Sequence, residues 1–255
     1  MKDFKEVLEI AKQMGFNRMS PTRARKFQEN PMRALYDTTD EFPWWTGDSK
    51  ALDYGSIVHN LAEGIDVDKF PEKLKERIVS SRTGKPFAWT NEAMTVGKAV
   101  NSYFDKLLGD GSYTFEQELT LDKSDGVKYH GYADAILERS NGSVTVFDIK
   151  TMAGMEFDKW INRGYEPDSL STYKKQIAFY AMVLGTQDAK LLFVKKSDKT
   201  PFIHEYALSK AELSEAQYDV MDEMENALKI INGEEAPKAI NDGSQWAFKY
   251  FGGTI

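Results

Sequence analysis

The sequence predicts an α/β fold with a central mixed β-sheet flanked by helices, and three observations carry that prediction. Residues 131–150 (GYADAILERSNGSVTVFDIK) hold two apolar runs, 132–137 and 144–149, separated by Asn141-Gly142. Asn-Gly is a strong hairpin signal, because both residues tolerate the positive φ of tight hairpin turns. Residues 172–184 place Ile177, Ala181 and Leu184 at helical spacing, and two strand-like runs follow at 189–195 and 202–206. Long amphipathic helices are expected at 90–108 and 208–232. Strands and helices in this order make an α/β body, and the helices must cover the faces of its sheet.

The chain has 255 residues, 41% of them hydrophobic and 13% aromatic. That supports one large domain over 1–255: a mainly helical part (1–110), an αβ core (111–208), and a helix with a tail (209–255). The absence of cysteine excludes disulfides, zinc–thiolate sites and an iron–sulfur cluster held by cysteine. The first 14 residues read as a charged amphipathic helix and not as a leader. No apolar stretch approaches the roughly 20 residues of a membrane span, so a soluble, intracellular (cytoplasmic) protein is expected. The net charge of −7 weighs mildly against a polyanionic partner. Much of that acidity lies in 212–235, however, and binding depends on where charges sit. No GxxxxGK[ST] loop points to ATP, and no Gly-x-Ser-x-Gly elbow supports a serine triad.

In chain order, 3–14 has a fair apolar stripe at Phe4, Val7, Leu8 and Ile10. Ser20 suits an N-cap and Pro21 the first helical position, with the helix ending before Asn30-Pro31. Residues 41–48 read as a loop in which Phe42, Trp44 and Trp45 serve packing or, alternatively, base stacking. Residues 52–62 form a helix with Gly55 and His59 one turn apart. There a small residue lets another element or a metal approach the imidazole; a satisfied histidine is the alternative. A connector at 66–86 contains a short helix at 72–79, and its Arg77, Arg82 and Lys85 face solvent by default, with a nucleic-acid backbone as the alternative contact. In 90–108 the buried face is Ala93, Val96, Val100, Phe104 and Leu107, and Gly109 stops the helix. Residues 113–121 alternate as a strand with Glu116 and Glu118 on one face. A short helix lies within 151–164 and a loop at 165–169. In 172–184, Gln176 and Tyr180 make a second face with Tyr173 one turn earlier. Packing explains the tyrosines better than it explains Gln176. Helix 208–232 turns Leu213, Tyr218, Met221, Met224 and Leu228 toward the core. The tail, with Trp246, Phe248, Tyr250 and Phe251, is too aromatic to stay free and docks on the body or on another subunit.

Asp148 and Lys150 share a strand face, and the hairpin can bring Asp134 beside them. Two acids and an amine on apolar strands are costly to bury unless they pair or hold a cation. Gly55-x-x-x-His59, Asp134, Asp148-x-Lys150 and Gln176-x-x-x-Tyr180 occur in this order within residues 20–185. This set resembles the PD-(D/E)XK nuclease superfamily, in its RecB-like and phage-exonuclease branch. The resemblance implies a restriction-endonuclease-like core and a metal-dependent DNA exonuclease, 5′ to 3′ on double-stranded ends, serving phage-type recombination. It implies Mg²⁺ or Mn²⁺ held by Asp134, Asp148, His59 and the Ile149 carbonyl, with Glu118 favoured over Glu116 as a further acid. Lys150 then orients or deprotonates water, and Gln176 and Tyr180 position the strand or the lysine. Ser20, Arg23 and Arg25 resemble a 5′-phosphate grip, and Lys174 and Lys175 are further phosphate contacts. The partners implied are DNA, a single-strand annealing protein and further copies of the chain in a ring, in a phage-encoded setting. An endonuclease of the same fold and a non-catalytic DNA-binding module are the alternatives.

Overall fold

The computed structural model describes residues 2–14, 16–44, 50–123, 126–197 and 199–252. The elements are α1 (Phe4–Gln13), β1 (Arg18–Met19), α2 (Pro21–Glu29), α3 (Pro31–Thr38), α4 (Lys50–Ala62), a 3₁₀ turn (Val67–Lys69), α5 (Glu72–Arg77) and α6 (Ala88–Leu108). There follow β2 (Ser112–Asp122), β3 (Lys128–Glu138), β4 (Val144–Met152), α7 (Gly154–Arg163), α8 (Leu170–Leu184), β5 (Asp188–Lys195), β6 (Ile203–Ala207), α9 (Lys210–Ile231) and α10 (Gln245–Tyr250).

The sheet has six strands and is mixed, as the sequence predicts. Strand β3 pairs antiparallel with β2 on one edge and with β4 on the other. The α7–α8 crossover carries the chain to β5, parallel to β4, and β6 returns antiparallel. The β3–β4 turn differs in detail from the expectation. Of Asn141 and Gly142 only the glycine is left-handed, at φ +79. The Gly142 amide donates to the Arg139 carbonyl, and the Arg139 amide donates to the Ser143 carbonyl. That is a three-residue loop closed by a glycine bulge, the next commonest solution after the two-residue turn.

Each face of the sheet buries its own apolar cluster. Ile136, Val146, Leu191 and Phe193 pack with α8 and α9, joined by Met19, Ala24 and Phe27 from the N-terminal segment. Ala135, Leu137, Phe147, Ile149, Leu192 and Val194 pack with α4 and α6. Ala93, Val96, Val100 and Phe104 of α6 are buried, as their spacing predicts.

Three expectations need correction or extension. Tyr218 is 75% exposed, so α9 turns Leu213, Val220, Met224 and Leu228 inward without it. β1 and α3 were not anticipated, although Asn30 caps α3 and Pro31 opens it just as Ser20 and Pro21 do for α2. Trp44 packs beneath the Arg33 guanidinium, 4.3 Å from its ring centre, which is the packing role; Trp45 lies outside the described residues. The tail docks on the body. Trp246 is fully buried and meets Tyr36, and Asn30 donates to the Ile240 carbonyl.

Candidate active site

The site sits where β3 and β4 part. Their ladder runs from Glu138↔Val144 to Ala135↔Phe147 and stops. The next pair in that register would be Asp134 opposite Asp148. Farther along, β1 occupies the same edge of β3, at Lys128 and Tyr129. Inside this fork the Asp134 Oδ2 accepts from the Ile149 amide at 2.5 Å, a side chain standing in for the missing ladder bond.

Glu116 lies opposite Asp134 on the other edge. It breaks the β2–β3 ladder and has φ +47, a left-handed conformation that a side-chain-bearing residue adopts at a cost of about 1–3 kcal/mol. The break shifts the phase of both strands. Tyr113 and Phe115 pack with the α4–α6 cluster, whereas Leu119 belongs to the opposite one. Tyr129 and Ala133 likewise belong to the α8 side, but Ala135 and Leu137 to the other. Strict alternation would have kept Glu116 and Glu118 on one face. The structure separates them and corrects the preference for Glu118. Glu118 pairs with Arg18 and neighbours His130, while Glu116 Oε1 lies 3.0 Å from His59 Nδ1.

His59 Nδ1 is also 3.6 Å from Asp134 Oδ1. One ligand atom from each of His59, Glu116 and Asp134 falls within 4.8 Å of the other two. Burial lowers the imidazole pKa, but the charges of Asp134 and Glu116 outweigh it and raise the value to about 9. A proton on His59 thus partly offsets two acids held close together. Gly55 was expected to admit a neighbour beside this histidine. A Cβ there would meet nothing within 4 Å, so that side of α4 is open.

Asp148 is fully buried. Its oxygens lie 2.9 and 2.7 Å from the Lys150 ammonium, yet Oδ2 accepts no directional hydrogen bond. Burial pushes the Asp148 carboxyl up and Asp134 adds to this, while Lys150 opposes it. Burial works against the charge on Lys150, but Asp148 and Asp134 overcome it and hold the amine protonated. Lys150 donates to Gln176 Oε1 at 3.3 Å, and the Gln176 amide donates to the Tyr180 hydroxyl at 2.8 Å. The ammonium also lies 5.0 Å from the Tyr173 ring centre. Tyr180 is buried, which holds its hydroxyl protonated. It packs on Gly131, where a Cβ would come within 2.5 Å of the ring. His59, Asp134, Asp148, Lys150, Gln176 and Tyr180 therefore converge around one fork.

The donor set fits a divalent cation. An imidazole, two carboxylates and an under-satisfied buried carboxylate oxygen nearby are oxygen-rich ligands of the kind Mg²⁺ or Mn²⁺ takes. The residues expected to grip phosphate are more scattered. The Ser20 hydroxyl accepts from the Arg23 amide at 3.3 Å, an ordinary N-cap. The Arg23 guanidinium lies over Phe16. Lys174 pairs with Glu212 at 2.8 Å and Lys175 with Glu223 at 2.5 Å. Arg25, Lys175 and Gln176 do line one cleft, beside Pro21 at the start of α2.

A model of the PD-(D/E)XK nuclease superfamily matches residues 18–243. No curated protein matches the chain. Among solved structures, a candidate exonuclease from Eubacterium rectale aligns over 94% of this chain and 89% of its own, at 20% identity and a TM-score of 0.68. That likeness establishes the fold. An alkaline exonuclease from Laribacter hongkongensis aligns over 72% of this chain and 95% of its own, at 12% identity and a TM-score of 0.39, too low to carry weight. With nearly the whole length matched and the two acids and lysine placed at a strand fork, the chain belongs to the PD-(D/E)XK nuclease superfamily.

Proposed function

We propose that this protein is a divalent-cation-dependent DNA exonuclease that acts on double-stranded ends, 5′ to 3′, in recombination of the phage type. One observation carries the reading: the cluster of His59, Glu116 and Asp134 stands at the same fork as the Asp148–Lys150 pair. Phosphodiester hydrolysis needs an activated water, neutralised charge at phosphorus and help for the leaving oxygen. A bound divalent ion supplies Lewis acidity and a water of lowered pKa. Asp134, His59, Glu116 and Asp148 would hold it, with the Ile149 carbonyl carried over from the family resemblance. Lys150 supplies positive charge toward the phosphate and orients or deprotonates the attacking water. Gln176 fixes the lysine through its carbonyl, and Tyr180 fixes Gln176. The cleft of Arg25 and Lys175 beside Gln176 supports a phosphate contact even though Glu223, paired with Lys175, lines it too, and the polarity rests on the family resemblance. The ring-shaped homo-oligomer and the single-strand annealing partner rest on the resemblance alone; light scattering of the purified protein tests the first. Among the described residues no helix is long and apolar enough to cross a membrane.

The test uses purified protein with Mg²⁺ or Mn²⁺, linear duplex labelled at either end, and covalently closed circular DNA. Early release of the 5′ label as mononucleotide, a stable circle and no cleavage in EDTA are expected. Rapid loss of the circle would make the enzyme an endonuclease. DNA binding that persists with no cleavage, unaltered by Asp148→Asn or Lys150→Ala, would make it a binding module.

A further inference from the structure

A cavity of about 420 Å³ opens beside Lys150, and neither His59 nor Glu116 lines it. Its volume falls in the range, roughly 300–1,000 Å³, of pockets that take a small organic molecule. Met152 and Phe193, both buried, lie beneath it, and Tyr173, whose ring carries the Lys150 ammonium, forms a wall. Tyr165 stands at the rim, 69% exposed, on the segment that links α7 to α8. An aromatic ring of that size held mostly in water gains nothing for the fold, since little of its surface is buried.

The charges of the cavity restrict what fills it. Glu156, Glu166 and Asp168 line it against Lys150 and Lys159, and Lys150 is already paired with Asp148. A phosphate is therefore drawn to the Lys150 end and repelled from the mouth. A neutral aromatic ring suits the rest of the cavity: it finds aromatic faces to stack on and escapes the repulsion that the carboxylates exert on an anion.

We infer that this cavity receives the base of the terminal nucleotide, unpaired and stacked on Tyr165, while the phosphate on its 3′ side, the one to be cleaved, lies toward Lys150. The inference rests on the exonuclease reading for the direction in which the nucleotide enters. It adds a base-binding subsite and assigns Tyr165 as a substrate-positioning residue, with Tyr173 and Phe193 as the apolar surroundings. Recognition by stacking tolerates any base, as degradation without sequence preference requires.

Calorimetry with two probes isolates the base. 2′-Deoxyadenosine 5′-monophosphate and 2-deoxyribose 5-phosphate are titrated separately into the full chain, with the same divalent ion present. The nucleotide is expected to bind about tenfold more tightly than the base-less sugar phosphate. Tyr165→Ala should remove most of that ratio and leave the melting temperature unchanged, because the side chain is exposed. On duplex ends the same variant should lower kcat/KM about tenfold, yet cleave a terminus made abasic as the wild type does. Equal affinity for the two probes would overturn the inference, as would a Tyr165→Ala variant that keeps the wild-type ratio. Base-dependent binding by a protein that cleaves no DNA would leave the pocket standing and sink the exonuclease reading. Cleavage without base-dependent binding would do the reverse.

Discussion

Asp53 and Asp134 are both buried carboxylates in contact with α4 or its neighbours, and they are held in opposite ways. Asp53 is 3% exposed and takes the Arg77 guanidinium side-on, with contacts of 3.0, 3.0 and 2.7 Å. Its charge is matched by a cation that belongs to the fold. Asp134 is 8% exposed and has one backbone amide, a histidine and a second acid, Glu116, as company. The contrast separates structure from function. A buried acid with its own guanidinium is matched within the fold, whereas a buried acid grouped with another acid has negative charge that a bound cation would offset.

The largest expected effect breaks this contrast at Asp134. Asp134→Asn should lower the rate of DNA cleavage at saturating Mg²⁺ by roughly 10²–10³-fold or more. Mg²⁺ should also stabilise the wild type, by about 2.7 kcal/mol at a hundredfold excess over its Kd, and do much less for the variant. Cleavage at the wild-type rate would remove Asp134 from the chemistry.

Arg77→Ala inverts the pattern. It leaves Asp53 buried without its guanidinium, so thermal stability should fall by several degrees while the specific activity of the folded fraction survives. Replacing both Asp53 and Arg77 by alanine closes a double-mutant cycle, in which the two losses should add up to more than the loss of the double variant. Losses that simply add would show that packing, and not charge matching, governs this pair.

How much of this was readable beforehand follows from what each residue needs. The hairpin, β5, β6, α6 and α9 follow from apolar residues repeating every second or every third to fourth position, which buried faces enforce locally. His59, Asp134, Asp148, Lys150, Gln176 and Tyr180 were legible as an ordered set through the family resemblance. β1 was not: two residues carry no period, and only its pairing with Lys128 and Tyr129 makes it a strand. Glu116 was misjudged for a related reason. Alternation places side chains correctly only while the pleat is unbroken, and the positive φ that breaks it falls on a residue whose type gives no warning. Tyr218 satisfied the helical spacing but stands at the edge of the stripe, where a phenol can face water.

Glu116→Gly is the sharper, smaller test of the same point. Glycine reaches φ +47 without steric cost, so the substitution relieves the backbone and removes one acid from the cluster. In EDTA the variant should be more stable, by about 1 kcal/mol, and in Mg²⁺ it should be less active. Alanine at the same position keeps the strain and should lose activity without that gain. If glycine proves no more stable than alanine, the left-handed backbone stores nothing at this site.

The smallest effect extends the contrast to pH, at an acid far from the fork. Glu212 closes the N-terminus of α9 in a capping box with Ser209 and also accepts from Lys174 at 2.8 Å and from the Tyr206 hydroxyl at 2.5 Å. The Lys174, Tyr206 and Ser209 hydrogen bonds hold its pKa down at about 2, against 4.5 for an ordinary glutamate. A depressed carboxyl stabilises the fold fully above its unfolded value and loses that contribution as pH falls toward the folded one. The window is therefore pH 4.5 down to about 2. Glu212→Gln should melt below the wild type at pH 6, and the gap, about 1 kcal/mol at most for so accessible a group, should close as the pH drops through that window. Asp148 should show the opposite sign in EDTA, because burial holds its carboxyl above the ordinary range. A gap at Glu212 that stays constant down to pH 2 would mean that the glutamate acts through packing of its stem and not through its charge.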